Sequence, residues 1–120
     1  MKLPWPLALM ALTLVACGET PEQHQARQRE AADRQLISES EWFLRKAMRE
    51  PDSTVLDSVH IAAGTFAEAK VVCGKVNGRN GFGGMTGFQR FVVMAGKVPM
   101  VESDGVGQRG FRDVWDKAGC

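Results

Sequence analysis

Thiols, imidazoles and closely spaced carboxylates are the groups in this 120-residue sequence that could do chemistry. It has three cysteines, Cys17, Cys73 and Cys120, and two histidines, His24 and His60. A zinc site takes about four ligands at short spacings. Neither histidine stands at such a spacing from a cysteine, so no metal site is expected. A nucleophilic thiol needs a basic neighbour and exposure, whereas Val71-Val72-Cys73 reads as a buried strand. Glu102 and Asp104 could act as a carboxylate pair, but beside Gly105 they read as a solvated turn. No Ser-His-Asp set can be assembled. No catalytic residue and no cofactor are therefore expected, and enzyme is the weakest functional class.

The most distinctive stretch is Val76-Asn77-Gly78-Arg79-Asn80-Gly81-Phe82-Gly83-Gly84-Met85-Thr86-Gly87-Phe88. Asn-Gly pairs supply left-handed backbone cheaply, so this is turn chemistry. It is not a phosphate cradle. A Walker loop requires Gly-Lys-Ser/Thr after four spacers, and a dinucleotide fingerprint requires a third glycine where Thr86 stands. Two readings remain. The glycines relieve crowding in a wide hairpin, or the loop presents Asn77, Arg79, Asn80, Phe82 and Met85 to a partner, as loops on rigid sheets often do. Fifteen Lys and Arg against fourteen Asp and Glu give a net charge of +1, which argues against nucleic-acid binding.

The elements that would position these residues follow from periodicity. Leu36, Ile37, Phe43, Leu44, Ala47 and Met48 recur at helical spacing, giving an amphipathic helix from residue 36 that ends at Glu50-Pro51. Ser38 with Glu41 is a candidate capping box, although the helix could begin earlier. Trp42 lies off the stripe, either widening the packed face or facing a partner. After Ser53 the period shifts towards two. Strands are expected at residues 54–62, 66–76, 88–95 and 98–103, with hairpins at Gly64-Thr65 and Gly96-Lys97. Pro99 marks the fourth as an edge strand. Phe111, Val114, Trp115 and Ala118 return to helical spacing. The expected class is α+β: an N-terminal helix, a four-stranded antiparallel meander and a short C-terminal helix.

The start of the chain gives an address. Lys2 precedes an apolar run over residues 3–16, too short to cross a bilayer but long enough for a signal peptide. The run ends in Leu14-Val15-Ala16-Cys17, which resembles the lipobox of bacterial lipoproteins. The resemblance implies a signal peptide over 1–16, a lipidated Cys17 and acyl chains that bury roughly 0.8 kcal/mol per methylene in a membrane. Gly18 rather than Asp after the cysteine implies the periplasmic face of the outer membrane, with the inner membrane as the less favoured address. Residues 17–35 are polar, rich in Gln, Glu and Arg, and read as a tether or as a solvated extension of the following helix. Residues 36–120 form the domain. In an oxidising compartment Cys73 and Cys120 are expected to pair, with buried free thiols as the alternative. The bridge would be worth about 4 kcal/mol by loop-closure entropy.

Pro51-Asp52-Ser53 with Leu56, then Val72-Cys73-Gly74-Lys75-Val76-Asn77, Asn80-Gly81-Phe82-Gly83-Gly84 and Gly87-Phe88 resemble a family of small exported bacterial and prophage-associated proteins. Their pattern runs Asp-Pro-x-Ser-x-x-Phe, then Val-Cys-Gly-x-Val-Asn-x-x-Asn-x-Phe-Gly-Gly-Tyr-x-Gly-Phe, with a late Trp and Cys. This chain departs with Glu50 for Asp, Leu56 for Phe and Met85 for Tyr. The resemblance implies the domain and the cysteine pair but no activity. The expected role is a lipid-anchored module whose partner is an envelope protein or peptidoglycan. An inhibitor or immunity lipoprotein is one form of it. A structural accessory of a secretion, pilus or prophage-encoded assembly is the alternative.

Overall fold

A computed structural model describes residue 2 and residues 18–78, 87–102 and 108–120. Two helices sandwich a four-stranded sheet. The order is α1 (Pro21–Ala47), a 3-10 turn (Pro51–Ser53), β1 (Val55–Phe66), β2 (Ala69–Asn77), β3 (Gln89–Met94), β4 (Val98–Val101) and α2 (Gln108–Ala118). The sheet is an antiparallel meander, β1-β2-β3-β4, with Pro99 on an edge strand as expected.

α1 begins well before the apolar stripe. Thr20 caps it, accepting from the Gln23 N–H at 3.2 Å while the Gln23 side chain accepts from the Thr20 N–H at 3.1 Å. Pro21 occupies the first turn, where its missing N–H is harmless. Residues 21–32 are all exposed, so the polar stretch is a solvated helix rather than an irregular tether. Side-chain pairs support it: Glu19 with Arg27, Gln28 with His24, and Glu30 with Arg34. Asp33 then reaches Lys70 on β2 at 3.0 Å. Ser38 lies inside the helix, so the Ser38/Glu41 capping box does not form. The helix ends at Ala47, three residues before Glu50.

The sheet alternates between the helices, as a pleated strand must. Val72, Val76, Phe91, Val93 and Val101 pack under α1 with Leu44. Val71, Cys73, Val92 and Ala62 pack under α2 with Phe111, Val114 and Ala118. Phe91 is fully buried, and its ring crosses Gly74 on the neighbouring strand; a Cβ there would sit 3.0 Å from the ring. Ser40, buried in α1, is satisfied by donating to the Leu36 carbonyl at 2.7 Å.

Two expectations need correction. The first hairpin turns at Ala67 and Glu68, both left-handed (φ 48° and 64°), instead of at Gly64-Thr65. Gly64 lies within β1, where the α2 carboxyl end presses on it: a Cβ would meet the Ala118 carbonyl oxygen at 3.0 Å. Trp42 does not widen the packed face. It is 51% exposed, edge-on to Phe43 at 4.8 Å and under the Lys46 ammonium at 4.0 Å.

Candidate functional site

Several side chains with chemical character lie on the α2 side of the sheet, and a bulge in β1 places His60 among them. Between Asp57 and His60, β1 takes three residues while β2 takes two, from Lys75 to Cys73. The extra residue is accommodated by Ser58 at φ 54°. In a regular ladder Val59 would oppose Cys73. The bulge shifts the strand by one, so Val59 and Ile61 join the α1 core and His60 comes opposite Cys73. His60 Nδ1 lies 2.7 Å from the Ser58 carbonyl oxygen, which can only accept, so Nδ1 is the donor. Nε2 then faces Cys73 Sγ at 3.4 Å. Spacing in the sequence gave no hint of this pair, because the bulge that creates it contains no glycine.

Cys73 is bonded to Cys120, with Cα atoms 6.1 Å apart across a sequence separation of 47. The carboxyl end of α2 builds this approach. Gly119 is left-handed at φ 78°, the Cys120 N–H reaches the Trp115 carbonyl at 3.0 Å and the Gly119 N–H reaches that of Asp116 at 3.3 Å. This is a Schellman cap, which needs glycine at that position. The cap turns Cys120 under the sheet, and Gly64 provides the space. Cys73 is fully buried, Cys120 is half-buried and His60 is exposed.

A charged row crosses the sheet one pair further along: Asp57, Lys75, Arg90 and Glu102, in register on successive strands. Arg90 forks onto Glu102 with Nε–Oε2 at 3.1 Å and Nη2–Oε1 at 2.5 Å. Its guanidinium lies 4.9 Å from the Trp115 ring centre and 5.6 Å from that of Phe111. The hydrogen bonds from Arg90, aided by its charge and opposed by partial burial, hold the Glu102 carboxyl below its ordinary range. The same bonds raise Arg90. Glu102 is thus one half of a cross-strand ion pair, and its sequence neighbour Asp104 lies outside the described residues. Asp57 and Lys75 are exposed and make no ion pair among the described residues.

The next row ends the sheet. Val55 pairs with Asn77, and Phe88 follows in register on the β3 side. Val55 and Phe88 are 47% and 52% exposed. Between them, Asn77 Oδ1 is buried and accepts no hydrogen bond from the described residues. Of the five residues expected to meet a partner, Asn77 is therefore at this sheet end, while Arg79, Asn80, Phe82 and Met85 lie outside the described residues, as does Cys17. Val55 and Phe88 were not anticipated as surface residues. Both sit at strand ends, where alternation ceases to report burial.

Among the described residues no three His, Cys, Asp or Glu side chains gather as a metal site, and no helix is long and apolar enough to cross a membrane. Comparison with protein-family models, curated proteins and solved structures finds no match to this chain.

Proposed function

We propose that this protein is a lipid-anchored interaction module of the bacterial envelope, facing the periplasm from the outer membrane. Leu14-Val15-Ala16-Cys17 and Gly18 support the anchor and its address. The solvated start of α1 supports a rigid stand-off: residues 21–32 would hold the domain about 18 Å further from the anchor, at roughly 1.5 Å per residue.

The observation that carries the binding role is the end of the sheet. Two large apolar side chains, Val55 and Phe88, are half exposed on either side of Asn77, whose buried amide oxygen has no donor among the described residues. An exposed apolar pair at a sheet end suits a protein surface, since interface anchors are apolar side chains that become buried on contact. The glycine-rich segment joins Asn77 to Phe88 in the sequence. Peptidoglycan is the competing ligand.

The test is pull-down of the full lipidated protein from detergent-solubilised envelopes, with Phe88→Ala and Asn77→Ala beside wild type. The reading expects one stoichiometric protein that both variants lose, with purified peptidoglycan failing to compete. Equal capture by both variants would remove the sheet end as the contact.

A further inference from the structure

The disulfide has a property that a purely structural staple does not need. Its buried sulfur, Cys73 Sγ, faces an ionisable ring at 3.4 Å, and that ring is exposed to solvent. We infer that Cys73–Cys120 is a redox-active disulfide that exchanges with envelope dithiols, and that His60 stabilises the leaving Cys73 sulfur.

The geometry sets the direction of exchange. Cys73 is fully buried between Val72 and Gly74 on a central strand, so an incoming thiolate cannot reach its sulfur. Cys120, beyond the end of α2, is the more exposed of the two residues, so attack is expected at its sulfur. Attack by a partner thiolate forms a partner-S–Sγ120 bond and breaks Sγ73–Sγ120. The electron pair departs on Cys73 Sγ, directly at His60 Nε2. Because Nδ1 donates to the Ser58 carbonyl, the ring is held with Nε2 aimed at that sulfur. A proton on Nε2, exchanged with solvent, then pairs with the thiolate or passes to it. A cation beside a thiolate lowers its pKa, and a leaving thiol of lower pKa departs faster. The second thiol of the partner attacks the mixed disulfide and releases Cys120 as thiolate. The partner leaves oxidised and Cys73 and Cys120 are left reduced, so two electrons pass from the dithiol to this chain. A disulfide-bearing partner reverses the sequence.

The local fold is consistent with this chemistry. The bulge at Ser58 sets a histidine, in place of Val59, opposite the cysteine. An apolar residue there would serve a structural disulfide equally well.

The test measures dithiothreitol reduction of the oxidised, folded protein at pH 7, comparing wild type with His60→Gln and His60→Ala. His60→Gln retains a side-chain donor for the Ser58 carbonyl but cannot ionise. His60 is exposed, so both oxidised variants are expected to unfold at the wild-type temperature. Reduction is expected to slow about three- to ten-fold in each, from the leaving-group dependence of exchange. With glutathione in place of dithiothreitol, the trapped mixed disulfide is expected on Cys120. Wild-type rates in both variants, or a first adduct on Cys73, would overturn the inference. If one variant fails to fold, the other and the site of the adduct still decide it.

Discussion

The two faces of the sheet are held by different means. Under α1 the contact is apolar packing: Leu44, Val72, Phe91 and Val93 are fully buried, and the helix runs for 27 residues. Under α2 a helix of 11 residues is held by a disulfide, by close backbone approach at Gly64 and by an arginine fork. A helix that short is marginal by itself, so the staple does what length does on the other side. The α2 side also carries His60 against Cys73, the charged row, and Asn77 between Val55 and Phe88. One face is a foundation, and the other is fastened at points with polar groups between them.

Substitution in the foundation has the largest expected effect. Phe91→Ala removes a fully buried ring and uncovers Gly74. It should cost about 3–5 kcal/mol, lowering the melting temperature of so small a domain by more than about 12 °C. Thermal unfolding by circular dichroism checks this, and a loss below 1 kcal/mol would mean that the α1 face is not the foundation.

Removing the staple comes next. Cys73→Ala with Cys120→Ala should cost about 2–4 kcal/mol, read as a lower urea midpoint. The loss should fall on α2, whose amide protons should exchange sooner than those of β2 and β3. Equal loosening of both helices would erase the contrast between the faces.

These features differed in how far they could be read from the sequence. The helices and strands followed from periodicity, because each buries one face or alternates between two. The solvated half of α1 carried its own sign, Thr20-Pro21-Glu22-Gln23, which is a capping box with proline in the first turn. Its lack of apolar residues hid that sign. The first hairpin could not be read because its left-handed residues are Ala67 and Glu68 rather than glycine. Gly64 looked like a turn residue, yet its role is to admit the end of α2, a contact made by residues more than fifty positions away. The His60–Cys73 and Arg90–Glu102 pairs depend on strand register, and the first also on a bulge at an ordinary serine.

Gly64→Ala tests the close approach. A methyl 3.0 Å from the Ala118 carbonyl oxygen forces α2 to shift, for a loss of about 1–3 kcal/mol. With the disulfide also removed, the same substitution should cost less, since α2 is then free to move. A double-mutant cycle gives the difference.

The Arg90–Glu102 pair is a smaller contribution. Both side chains are over a third exposed, so the fork contributes at most about 1 kcal/mol. Glu102 has a folded pKa below its unfolded value of 4.5. Its contribution is therefore fully present above that value and is lost as pH falls through the lower folded value. Glu102→Gln should flatten that part of the stability–pH curve, lowering stability at neutral pH by at most about 1 kcal/mol and leaving it unchanged below the folded value. An unaltered acid limb would show that the pair is idle.

Phe88→Ala should change stability by no more than about 0.5 kcal/mol, since the ring is half exposed. Its expected effect is on binding, where an aromatic anchor is worth about 2 kcal/mol or more.

The most direct test of the division between the faces is photo-crosslinking in intact cells, with the reactive residue placed at Phe88 on the sheet end or at Trp42 on the outer side of α1. Both side chains are half exposed, so reach alone does not favour either. One discrete protein adduct is expected from position 88 and none from position 42. An adduct from position 42 with none from position 88 would contradict that division and place the contact on the helix that we assign to support.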